Sequence, residues 1–256
     1  MYPTQFDDSF KLADLFLGAA NHPTFVSFIE ADLSGRDVLC ALTNWAGGVN
    51  ETSRAPMFGP WKAYSLLARG AKIGVTTTPI YEFKEGCQLP GGVREDSFIT
   101  SCSAWENPKI DLMLALLLQW SLKNEVRFHH VGYRFINDEE GENALKAAMD
   151  KQSNTARLLH ASDHDRYLVE VPTSKSQNKR YWKEFQKWST PQKSNGLHWD
   201  FATTDPERMI EYIGKYSGLQ VETWKREKGS PSALVHAFDK DGRDIAIHAR
   251  SEWTFI

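Results

Sequence analysis

Cysteine is scarce in this chain. Cys40, Cys87 and Cys102 are the only three, an odd number without a Cys-x-x-Cys pair. Neither a disulfide framework nor a cysteine zinc site is indicated, and a reducing, cytoplasmic setting is expected. Long apolar runs are missing too. The longest, Leu112–Leu118, lies between Asp111 and Gln119, whereas a bilayer-crossing helix needs about 20 residues, so no membrane partner is expected. Residues 1–8 lack a cationic start followed by an apolar stretch and do not read as a signal peptide. Cationic excess is absent as well. With 30 Lys and Arg against 33 Asp and Glu, the formal net charge is −3, and an anionic partner must be met by a local patch. No Gly-x-Gly-x-x-Gly, P-loop, Gly-x-Ser-x-Gly or His-x-His element occurs. No cofactor, metal site or catalytic residue is therefore assigned.

What the chain has in quantity is aromatic side chains, 12% of residues, nine of them Trp. Together with 41% apolar residues they imply a compact core. The pattern predicts an α+β fold, a mixed sheet around a central buried helix followed by a small C-terminal βαβββ unit. A first helix capped at Asp8 or Ser9 presents Phe6, Phe10, Ala13 and Leu17. Strands are predicted at 24–31, 72–83, 97–102, 126–136 and 166–171. Pro60 starts a short helix, 61–69, closed by Gly70, and 85–96 reads as loop. Asn107 and Pro108 begin a helix, 108–123, that is apolar nearly all round and belongs at the centre. A further helix is expected near 139–151. In the C-terminal unit a strand, 197–202, leads to a helix from Pro206 to Gly218 and strands at 219–227, 233–238 and 243–249. A Ser/Lys/Gln-rich stretch, 173–195, separates an N-terminal domain, 1–172, from this unit, 196–256, unless the two form one continuous domain.

Two segments suggest a partner. In the first, Lys175, Lys179, Arg180, Lys183, Lys187 and Lys193 stand against Glu184 alone, interleaved with Tyr181, Trp182, Phe185 and Trp188. Cations that track a phosphate backbone and rings that stack on bases are what single-strand binding requires. Tyr181, Phe185 and Trp188 share one helical face and equally suit a core, which leaves Trp182 as the ring to watch. The second is a polar groove formed by Asn50 and Arg54 beside a helix bearing Trp61, Lys62 and Arg69, with Lys72 beyond.

This second segment carries a family resemblance. The runs Gly48-Val49-Asn50, Pro60-Trp61-Lys62-Ala63-Tyr64-Ser65-Leu66-Leu67-Ala68-Arg69-Gly70-Ala71-Lys72-Ile73 and Thr78-Pro79-Ile80-Tyr81-Glu82-Phe83 resemble the N-terminal domain of ArdC-type antirestriction proteins. The resemblance implies single-stranded DNA binding in a phage, plasmid or bacterial system. It covers about forty residues. Gly74-Val75-Thr76-Thr77 departs from the family's basic turn, and the family's His-Glu-x-x-His protease domain has no counterpart.

Other constellations are weaker. Tyr212 and Lys215 resemble the Tyr-x-x-Lys helix of rolling-circle initiators but lack its His-x-His metal pair. His160 and His164, flanked by Asp163 and Asp165, need a further ligand to hold a metal. Asp239-Lys-Asp-Gly-Arg-Asp244 reads as a hairpin turn rather than a calcium loop. Cys87 or Cys102 with His129 or His130 has no supporting spacing as a nucleophile pair. The leading expectation is thus a nucleic-acid-binding protein. One alternative is an enzyme for a nucleotide or other small anion, with a pocket of Arg54, Arg94, Glu95, Asp96, His129 and His130. The other is an inhibitor that binds a partner protein.

Overall fold

The computed structural model describes residues 4–32, 34, 37–68, 74–78, 91–135, 156–160, 166–170, 195–225 and 231–251. It shows an α+β fold built on two sheets. Sheet A has five strands in the order β2-β1-β5-β4-β3, all antiparallel. These are β1 (Thr24–Ala31), β2 (Val38–Ala46), β3 (Val75–Thr77), β4 (Gly92–Glu95) and β5 (Phe98–Ser103). Sheet B has seven strands in the order β10-β11-β12-β9-β6-β8-β7. They are β6 (Val126–Phe135), β7 (Ala156–His160), β8 (Arg166–Glu170), β9 (Gly196–Thr203), β10 (Val221–Lys225), β11 (Pro231–Phe238) and β12 (Asp244–Arg250). Its one parallel contact is β9 with β12. The four described helices are α1 (Thr4–Ala19), α2 (Ala55–Leu67), α3 (Pro108–Ser121) and α4 (Pro206–Ser217).

Helices α1, α3 and α4 lie between the sheets, and α2 lies on the far face of sheet A. The period-two alternation of β1 explains how one strand serves both layers. Val26 and Phe28 join the inner core, while Ile29 packs with Ala63 and Leu66 of α2. Helix α1 spans the inner layer: Phe6 stacks on Phe28 of sheet A, and Phe16 packs against Phe128, Trp199 and Phe201 of sheet B. Helix α3 is the predicted central helix. Every residue from Ile110 to Gln119 is buried, and the Asn107 side chain accepts from the Lys109 N–H at its start. Of its two polar residues inside this run, Asp111 accepts from Lys62 at 2.8 Å, and the Gln119 amide oxygen accepts from the Thr100 hydroxyl at 2.7 Å while its buried amide nitrogen finds no partner among the described residues. Helix α4 likewise has its predicted caps, Asp205 accepting from the Arg208 N–H and Gly218 in the left-handed conformation.

Four expectations change. Helix α2 begins at Ala55 rather than after Pro60, because a proline with helical φ costs one internal hydrogen bond but does not forbid the turn. Helix α1 starts at Thr4, ahead of the expected caps. No strand is expected between 31 and 61, yet this stretch contains β2, an edge strand so exposed that it shows no alternating pattern. The expected loop 85–96 contains β4, joined to β5 by a tight hairpin with Asp96 at φ 55°. Strand β7 was not foreseen. Of the expected strand 72–83, Val75–Thr77 is strand and residues 72, 73 and 79–83 lie outside the described residues, as does the expected helix near 139–151.

The C-terminal βαβββ unit has the predicted order, but it does not form a sheet of its own. Strand β9 pairs with β6 on one side and β12 on the other, so residues on both sides of 173–195 share one sheet and one core.

Candidate functional site

The predicted binding residues separate. Arg54 precedes α2 and is exposed, as are Asn50 and Trp61. The Asn50 side chain accepts from the N–H and hydroxyl of Thr52, shaping the turn before the helix. Lys62 corrects the sequence reading. It is 3% exposed, donates to the Asp111 carboxylate and to the Cys102 carbonyl at 2.8 Å each, and cannot reach a phosphate backbone. Burial pushes the Asp111 carboxyl upward against the pull of Lys62. The remaining expected contacts, Arg69, Lys72, Lys175, Lys179, Arg180, Trp182, Lys183 and Lys187, lie outside the described residues.

Helix α2 presents a feature that the basic pattern did not highlight. Met57, Trp61 and Tyr64, spaced i, i+4 and i+7, form one outward stripe, and they are 71%, 46% and 46% exposed. The helix contains no acidic residue. Its opposite face, with Ala63 and Leu66, packs on sheet A.

The pocket imagined for a small anion is not assembled. Arg94 is buried in sheet A with its Nε donating to the Asp96 carbonyl, and Glu95 and Asp96 pair with Lys123. His129 and His130 belong to sheet B. Cys102 is fully buried and its thiol is pushed well up by burial, which removes it as a nucleophile. Tyr212 donates to Glu95, and burial holds its hydroxyl protonated, so the initiator-like reading is closed. His160 ends strand β7 rather than sitting on a helix with His164, which lies outside the described residues. Asp239–Asp244 is the predicted hairpin turn, closed by hydrogen bonds between Asp239 and Arg243.

A second constellation emerges on the face of sheet B that points away from the helices. Trp199 and Phe201 of β9 face the core, so His198 and Asp200 face outward. On β12, Ile245, Ile247 and Ala249 face the core, and His248 and Arg250 face outward. Cross-strand register aligns His130, Asp200 and His248 in one row. A bulge between Phe128 and His130 interrupts β6. It turns the adjacent His129 and His130 rings toward each other, with Nδ1 atoms 2.5 Å apart, where an unbroken strand would place them on opposite faces.

These groups form a buried polar network. Asp200 accepts from Arg250 Nε at 2.6 Å, from the Arg250 Nη2 and from His248 Nδ1 at 2.7 Å. His130 Nε2 lies 3.2 Å from His198 Nε2 and 4.0 Å from Asp200 Oδ2. Burial works to raise the Asp200 carboxyl, but Arg250 and then His248 override it and hold it well below the usual range. Burial holds His130 neutral, only partly opposed by Asp200. Gly132 faces His198 across the ladder, and a Cβ there would collide with its ring. The signal in the sequence was His198-x-Asp200 and His248-x-Arg250, two polar pairs at strand spacing inside apolar strands.

At the junction of the layers, His22 stacks on Trp105 at 3.6 Å between ring centres, and burial lowers its pKa from 6.5 to about 4. A lowered folded-state value means that stability is complete above pH 6.5 and is lost as pH falls toward 4, because the unfolded chain takes up the proton first. We expect thermal unfolding followed from pH 7.5 to 4.5 to show this decline. His22→Phe should flatten it by up to about 2 kcal/mol, after allowance for solvent screening of a partly exposed ring.

No family model matches the chain, and no curated protein or solved structure matches it either. The fold and the two constellations therefore define it only as an α+β protein with no helix, among the described residues, long and apolar enough to cross a membrane.

Proposed function

We propose that the protein binds single-stranded nucleic acid across the outward face of α2. The observation that supports this reading best is the Met57, Trp61 and Tyr64 stripe, headed by the exposed Arg54 and free of acidic side chains along the helix. Aromatic rings give bases a stacking surface that is indifferent to sequence, and an adjacent cation meets the phosphate. Asn50 stands at the same end of the helix. The antirestriction resemblance includes Asn50, Trp61 and Tyr64 of this surface and points to the same ligand, as well as to a phage, plasmid or bacterial setting.

Fluorescence anisotropy with a labelled oligonucleotide tests the reading. Binding should be present at low salt and weaken as salt rises. Trp61→Ala should weaken it by about 1–3 kcal/mol, roughly five- to 150-fold, with the fold unchanged, since stacking on one base is worth that much. Absence of binding at low salt overturns the reading. An exposed stripe of Met57, Trp61 and Tyr64 also suits a protein partner, and that second reading would then stand on the same stripe.

A further inference from the structure

We propose that the buried cluster on sheet B binds a divalent first-row transition metal of the zinc class, with His129, His130 and Asp200 as ligands. One donor atom from each of these residues lies within 4.8 Å of the others, and all three residues are buried. Two strands deliver them, β6 through its bulge and β9 through its outward face.

The two Nδ1 atoms of His129 and His130, 2.5 Å apart, are closer than the roughly 2.7–3.2 Å of ordinary N–H hydrogen bonds. Zinc–nitrogen bonds of about 2.0–2.1 Å at tetrahedral angles hold two nitrogens about 3.3 Å apart. A small opening of this pair therefore admits a cation and relieves the crowding. A metal takes only one nitrogen of His130. With Nδ1 as ligand, the Nε2–H donates to His198 Nε2, 3.2 Å away. This outer contact fixes the tautomer, as acceptors behind metal-bound histidines do.

Asp200 supplies the negative charge and is itself held by Arg250 and His248. A carboxylate offers about four lone-pair sites, so these bonds leave room for a further one. Arg250 nevertheless offsets much of the charge of Asp200, and attraction for a cation must rest chiefly on the imidazoles. That selects zinc, cobalt, nickel or copper over the oxygen-seeking magnesium and calcium. His198 is only half-buried and marks the side from which an ion enters.

The test uses the full chain, stripped with a chelator and titrated with Co²⁺ while visible absorption is followed. We expect one equivalent to bind with tetrahedral bands, Zn²⁺ to displace it, and Mg²⁺ to leave the spectrum unchanged. His198→Gln should weaken binding by about 10–100-fold, the usual cost of losing an outer-shell partner, and His130→Asn should abolish it. Circular dichroism establishes that each variant is folded. If His130→Asn does not fold, the half-buried His198→Gln carries the comparison. A folded wild-type chain that takes up no stoichiometric Co²⁺ or Zn²⁺ overturns the proposal and leaves the cluster as an interstrand hydrogen-bond network. Binding unchanged in either folded variant overturns it as well.

Discussion

Lys62→Ala should lower the free energy of unfolding by about 3–5 kcal/mol in urea titrations, because it strands the Asp111 carboxylate without its partner. Both side chains are nearly fully buried, at 3% and 4% exposure. Desolvating two ions costs several kcal/mol each, and only their close contact repays it. Lys62 also satisfies the Cys102 carbonyl, so the substitution leaves a second buried acceptor to find another donor. The pair ties α2, outside sheet A, to α3 in the inner layer. A domain is stable by only about 5–15 kcal/mol, so this one change removes a large share. The charge-free pair Lys62→Met with Asp111→Leu should recover part of the loss, since no buried ion then remains, although the Ala104 and Trp105 N–H groups lose their Asp111 acceptor. A Lys62→Ala protein as stable as the wild type would show that the pair is not buried in solution.

Arg250→Met should have a comparable effect, about 3–5 kcal/mol, for the same reason on the other sheet. Arg250 binds both oxygens of Asp200 and is 2% exposed. Once it is gone, His248 remains as a donor but burial raises the Asp200 carboxyl toward its neutral form. Pairing Arg250→Met with Asp200→Asn should restore at least about 1 kcal/mol, the coupling expected between directly contacting groups. Simple additivity of the two changes would refute the ion pair.

The elements best read from the sequence are those whose signals are local. Helix α3 announced itself by Asn107, Pro108 and an apolar surface on every side, and α4 by Asp205, Pro206 and Gly218. Strands β1, β11 and β12 lie within a residue or two of their expected positions because apolar runs and turn residues bound them closely. Strand β2 escaped notice because an exposed edge has no buried face to impose alternation, and β4 because Gly91 and Gly92 beside Pro90 look like a loop. The site was legible only in part. Trp61, Arg54 and Asn50 were recognised as candidates, but a lysine two turns into a helix gives no sign that it will turn inward to meet Asp111. The histidine cluster was hidden for a different reason. Its members come from three strands far apart in sequence, and the bulge that joins His129 to His130 defies the period-two rule by which strands are read.

The position of β9 between β6 and β12 has a kinetic consequence. Val126 pairs with Thr203, and Gly196 pairs with Asp244. The first contact closes a long stretch of chain, within which β8 pairs with β6 and β7, and the second is parallel and waits for α4, β10 and β11 to be laid down. Closing such loops slows folding far more than it lowers final stability. During synthesis the half ending at β6 would emerge with the edge that β9 later occupies still open. The outward charge of Asp200 and Arg250 then acts late, since neither has its partner until the last strand, β12, has docked.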